Sequence, residues 1–255
     1  MPELEIKITT DQSEISEAQR LRFQVFNLEM KKGLQASYES GLDVDDFDPF
    51  CDHLIVRDLT SKEVVGTYRL LLGAQAAKHI GFYSEGEFDL QKIKRLDGEL
   101  LELGRSCARK DFRDRALIPL MWQAIAQYVG KHRVRYLFGC GSLYTTDLRE
   151  VGEYFSLFKK KYYAEESLRV VPIAACRFDG IDDSLPLADE HALFVKLPSL
   201  IKGYLRLGAV VCGPPALDRE FGTVDFLMLL DMRKLSSDYL SRLGLLESKV
   251  RDAMA

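Results

Sequence analysis

Leu100 to Arg115 reads LLELGRSCARKDFRDR. Its first half alternates like a strand, with Leu101, Leu103 and Arg105 on one side and Glu102, Gly104 and Ser106 on the other. Its second half is a run of cations and small residues leading into an apolar-periodic helix. Glu102 and Arg105 are charges inside the strand-like run, where burial is costly unless they are paired or used. A charged strand opening onto a helix start is a common place for chemistry in an α/β protein. A structural ion pair is the other reading.

The flanking segments build a sheet around this stretch. Leu4 to Thr10 alternates apolar and polar and predicts a first strand. Asp11 to Ser13 supplies cap chemistry for a helix running through Glu29, with Arg22 on or beside its apolar face. A polar loop follows to Asp52, and its second half gathers Asp43, Asp45, Asp46, Asp48 and Asp52. An EF-hand reading fails there: counting from Asp43, Asp48 stands at the glycine position and Leu54 at that of the bidentate glutamate. His53 to Asp58 and Val64 to Gly73 are joined by a hairpin-length link, which predicts an antiparallel pair with Arg69 inside it. Ile118 to Val129 carries a helical apolar stripe, and Tyr136 to Leu143 is a strand ending in small residues. A strand, helix and strand across Leu100 to Leu143 form a βαβ-length unit. Pro198 starts a helix that ends at Gly208, before two closing strands. These patterns predict one domain over 1–255, with an insertion at about 145–195 and a helical tail at about 236–255.

Composition narrows the class. Hydrophobic residues make up 47% of 255, enough for a core, and the net charge of −4 argues against a nucleic-acid binder. The five cysteines form no CxxC pair and their number is odd, as expected for free thiols in a reducing compartment. There is no signal-peptide pattern and no apolar run long enough to span a bilayer, so a cytoplasmic protein is expected. The four histidines show no metal-ligand spacing, and no Walker or dinucleotide fingerprint occurs. Cys140 reads as a core cysteine.

The predicted order β-α-β-β-β-α-β-α-β-β resembles the GNAT acyltransferase fold, an α/β (α+β) class with a mixed central sheet and helices on both faces. A helix ending Tyr204 to Ala209, YLRLGA, is similar to the Tyr-x-x-x-Gly-Phe ending common in that superfamily. Within it, FDPFCDHLIVRD, VVGTYRLL, FYSEGEFDL, ELGRSC, LFGCGSL and LPSLIKGYLRLGAVVCGPPALDREFGTVDFLMLLD together resemble the bacterial ornithine lipid N-acyltransferases, including relatives labelled hemolysin-like. A more distant similarity links Arg22-Phe23, Asp46-Phe47-Asp48, Arg69-Leu70-Leu71 and Glu102 to Arg105 with the acyl-homoserine-lactone synthases.

The resemblance implies transfer of a 3-hydroxyacyl chain from acyl carrier protein to the α-amine of ornithine. It requires no cofactor beyond the phosphopantetheine of the donor. Amide formation needs a base, oxyanion donors and a proton for the leaving thiolate. Glu102 is the candidate base, Arg105 and Ser106 stand where backbone N–H groups would face the thioester carbonyl, and Tyr204 is the candidate acid. Arg22 and Arg69 are candidates for the amino-acid carboxylate, Asp45, Asp46 or Asp48 for its cation, and Ser142 for further substrate contact; the other reading pairs the buried arginines with one of these aspartates. The segment RKDFRDRALIP lacks the glycines that cradle the pyrophosphate of acyl-CoA in many GNAT enzymes. Its Arg109, Lys110, Arg113 and Arg115 suit the acidic surface and single phosphodiester of acyl carrier protein. A single-chain amphiphilic product implies peripheral contact with the inner membrane face. Another acceptor such as glycine or lysine, and a membrane-active hemolysin, are the rival readings.

Overall fold

Asp11 starts the first helix by accepting the backbone N–H groups of Ser13 and Glu14 on its carboxylate. This helix, α1 (Gln12–Phe23), continues as a π-turn over Gln24–Glu29, so the expected run to Glu29 is helical but not uniformly α. The computed structural model describes residues 3–113 and 117–235. The predicted tail at 236–255 lies outside them.

The described residues divide into two units: residues up to Gly81 with Glu99–Arg135, and Phe82–Gly98 with Tyr136–Leu235. In the first unit, β1 (Leu4–Thr9), β2 (Asp52–Asp58), β3 (Val64–Leu72) and β4 (Glu99–Ala108) pair antiparallel in that order. The hairpin predicted from the short link is β2–β3. Helices cover both faces. Ala18, Leu21 and Val25 of α1 pack with Ile55, Val64 and Cys107 on one face. The helix α2 (Leu117–His132) lies on the other, and glycine lets it approach: a Cβ on Gly66 would stand 3.1 Å from a Leu117 methyl and 3.2 Å from the Met121 sulfur.

In the second unit β5 (Val134–Leu143) pairs antiparallel with β8 (Thr223–Asp231), which also pairs with β6 (Val210–Val211) and β7 (Ala216–Asp218). The helix α3 (Leu148–Lys161) opens the segment expected as an insertion, yet Phe158 is fully buried and meets Phe226 edge-on at 4.9 Å. This helix therefore supplies core. The segment also holds α4 (Glu190–Lys196). The helix α5 (Ser199–Leu207) begins after Pro198 and stops at Gly208, whose φ of 94° suits glycine alone.

Candidate active site

The α1 face of the first unit carries three arginines and three aspartates in alternation. Arg22 is fully buried among the apolar residues of α1. Its Nη1 and Nη2 donate to both oxygens of Asp48 at 2.9 and 2.6 Å, and its Nε lies 2.9 Å from Asp43 Oδ1. Gln19 Nε2 adds a bond to Asp48 at 2.9 Å. Arg69 Nη1 reaches Asp45 at 2.5 Å and Asp48 at 3.2 Å. Arg105 closes the set, with Nη2 at 3.0 Å from Asp45 and Nε at 3.6 Å from Asp43. Each buried charge in this set has an opposite charge within 4.0 Å, which is what allows it inside a core.

Burial opposes ionisation of Asp48, and its bidentate pair with Arg22 outweighs that, holding the carboxyl well below the usual carboxylate range. The same contest lowers Asp45, where Arg69 outweighs burial. Burial keeps His53 neutral, with Nε2 3.1 Å from the Asp48 carbonyl.

A bulge in β4 brings Arg105 into this set. Thr67 pairs with Cys107 and Arg69 with Gly104, so Arg105 and Ser106 together oppose Tyr68. Arg105 takes the left-handed conformation, φ 48°. Simple alternation would send its side chain to the Leu103 face. The bulge turns it to the other face, beside Asp43 and Asp45. That corrects the alternating reading of Leu100 to Arg115. A bulky residue at positive φ costs about 1–3 kcal/mol and persists where surrounding contacts impose it, commonly at functional sites.

Glu102 pairs with Leu71 two residues before Gly104, which places it on the Arg69 face of the sheet. It is 4% exposed. Its charge reaches the Cys51 thiol, which burial first and then nearby carboxylates push up to about 12. Glu102, Arg105, Arg69, Arg22 and Asp48 therefore share one face, where simple alternation would have put Arg105 on the other. Asp46 does not join them: it is exposed, and it is Asp43 and Asp45 that pair with the arginines. Ser106 is half-buried at the bulge.

The second unit holds the other predicted residues. Tyr204 is half-buried on α5, and the Ser142 hydroxyl donates to Asp225 at 3.1 Å. Beside Ser142 is a polar cluster that the sequence reading missed. The ligand atoms of Glu87, Cys140 and Asp225 lie within 4.8 Å of one another. Cys140 donates to Glu87 at 3.6 Å and meets Ser84 Oγ at 3.4 Å, while Thr223 donates to Asp225 at 2.9 Å. Cys140 is thus a half-buried member of a polar cluster and not a core cysteine. The signal available was Glu87, the second glutamate of FYSEGEFDL, a motif read only as family likeness.

The cationic segment is less free than its sequence suggests. Arg109 pairs with Asp111 at 2.8 Å and Glu63 at 2.6 Å, and Arg113 bonds Glu29 at 2.7 Å and the Ala108 carbonyl at 2.8 Å. Lys110 is exposed. Arg115 lies outside the described residues.

Residues 21–123 match the acetyltransferase (GNAT) domain family, a span that runs from Arg22 through the β4 bulge into α2. The protein is an acyltransferase enzyme with a GNAT domain. It is 35% identical over 94% of its length to an L-ornithine N(alpha)-acyltransferase of Brucella abortus, covering 89% of that protein. It is 36% identical over 92% of its length to one of Rhodobacter capsulatus, covering 92% of it. The chain belongs to the L-ornithine N(alpha)-acyltransferase family. In fold it is similar to the AHL synthase LasI, with TM-score 0.54, 14% identity and 95% of both chains covered. It is likewise similar to the acyl-homoserine lactone synthase MesI, with TM-score 0.54, 9% identity and 96% of both chains covered.

Proposed function

We propose that the protein transfers a 3-hydroxyacyl chain from acyl carrier protein to the α-amine of ornithine, the first step of ornithine lipid synthesis. The observation that carries this reading is Glu102, a carboxylate buried on the bulged strand, on the sheet face that also carries Arg69. In the proposed step the amine nitrogen attacks the thioester carbonyl carbon. The C–N bond forms, the C–S bond breaks, the amine proton passes to Glu102, and the departing phosphopantetheine thiolate takes a proton from solvent. Backbone N–H groups of the bulge at Arg105 and Ser106 serve the oxyanion. Relatives named for ornithine acylation support the acceptor. The glycine-free, cationic segment after β4 supports acyl carrier protein as donor. Among the described residues no helix is long and apolar enough to cross a membrane, so any contact with the inner membrane face is peripheral in this reading. The experiment is to supply purified protein with 3-hydroxyacyl carrier protein and a panel of amino acids, and to search for acylated amines by mass spectrometry. Acylornithine is the expected product. No acylated amine of any kind would overturn the proposal.

A further inference from the structure

Asp52 lies on the face of the first unit's sheet opposite Glu102. It pairs with Leu70, and Leu70 with Leu103, whereas Glu102 pairs with Leu71. Its carboxylate accepts the Tyr128 hydroxyl of α2 at 2.5 Å. Among the described residues no lysine or arginine forms an ion pair with it. The simplest account is a tie between α2 and β2, but two cavities open on this carboxylate.

One cavity, of about 330 Å³, is lined by Asp52, Tyr128, Phe50, His79, Leu70 and Leu72 among others. Phe50 and His79 stack at 4.1 Å with an interplanar angle of 15°. The other, of about 380 Å³, shares Thr10, Asp52 and Tyr128 and adds Lys131 and His132. Both reach the size at which small-molecule pockets begin, about 300 Å³. A single carboxylate with aromatic and aliphatic walls is a poor metal site, since calcium and magnesium ask for about six oxygens. It suits an organic cation, whose charge the single carboxylate balances and whose carbon packs on the apolar walls. The Lys131 ammonium next to it suits an anionic group.

We propose that the two cavities form one site for a zwitterionic amino compound. Its ammonium sits on Asp52, beside Tyr128 and the stacked Phe50–His79 pair, and its anionic group lies toward Lys131. The ligand is either a free amino compound or the headgroup of an aminophospholipid. The proposal is independent of the acyl-transfer reading and is tested by binding alone.

Titration with phosphoethanolamine is followed through the ring protons of the four histidines. His79 and His132 are expected to shift together and saturate. His53, fully buried beside Asp48, and His191 are expected to stay still. Asp52→Asn keeps an acceptor for Tyr128 and should weaken the shift about tenfold or more, a difference in binding free energy of about 1.4 kcal/mol. Phe50→Ala should weaken it as well, and unmoved His53 and His191 signals show that both variants are folded. Ethyl phosphate, which lacks the ammonium, should not saturate the site. Sedimentation with phosphatidylethanolamine vesicles, but not phosphatidylglycerol vesicles, lost in Asp52→Asn, assigns the headgroup. Saturation by the free compound without such sedimentation assigns the free ligand. No saturable shift of His79 and His132, or equal affinity in Asp52→Asn, overturns the proposal.

Discussion

Arg105 donates to Asp45 at 3.0 Å across sixty residues of sequence, and it does so from a backbone with φ 48°. The ion pair and the strained backbone are one device: without the bulge the guanidinium would lie on the opposite face of the sheet. Two substitutions separate the parts. Arg105→Ala removes the charge and keeps the strain, and should cost about 3–5 kcal/mol because Asp43 and Asp45 lose a buried partner. Arg105→Gly removes both, and should be the more stable of the two by about 1 kcal/mol. Urea unfolding measures the difference, and alanine at least as stable as glycine would contradict the account of the bulge.

Asp48 links the network to pH. Its carboxyl is lower in the folded protein than the unfolded value of about 3.9, so the folded state binds fewer protons as acid is added. Its contribution is therefore complete above about pH 5 and is lost as pH falls through and below about 4. Asp48→Asn should destabilise the protein at pH 7 by about 3–5 kcal/mol, since Arg22 keeps its buried charge. It should also flatten the decline of stability between about pH 5 and pH 2. Melting curves across that range give both quantities, and an unchanged slope would remove Asp48 from the acid response.

Glu102→Gln tests the base. The amide fills the same space without accepting the amine proton, so kcat/KM should fall about 10²- to 10⁴-fold with little change in melting temperature. Full activity would take the proton-accepting role from Glu102 and leave the transfer reaction standing.

The donor surface is tested by charge. Reversal of Arg109 and Arg113 should raise the KM for acyl carrier protein about tenfold, more at low salt than at high. Both arginines already pair with acidic neighbours, so Lys110→Glu, at an exposed position, should add to the effect. An unchanged KM in the triple variant rules the patch out.

Much of the fold follows from periodicity. The β2–β3 hairpin, the apolar stripe of α2 and the Pro198–Gly208 limits of α5 are local patterns, and each element forms where its pattern lies. Arg22, Arg69 and Glu102 stood out because a charge inside an apolar run is visible in one dimension. That loop aspartates would pair with the two arginines was open to the sequence; which aspartates do so was not visible. Asp43, Asp45 and Asp46 are alike in a polar loop, and only the path of that loop decides that two turn inward and one outward. The bulge at Arg105 was hidden for a related reason: an extra residue in a strand leaves composition and alternation almost unchanged. The Glu87, Cys140 and Asp225 cluster draws on three distant segments, none of which has metal-like or catalytic spacing of its own.

The central claim is the bond that the enzyme makes. Ornithine labelled with nitrogen-15 at the α-position, incubated with the protein and 3-hydroxyacyl carrier protein, gives a product whose fragments can be read by tandem mass spectrometry. The account predicts an amide carrying the acyl chain on the labelled nitrogen and free thiol on the carrier protein. An acyl chain on the δ-nitrogen, or a carrier protein that keeps its thioester, would contradict it.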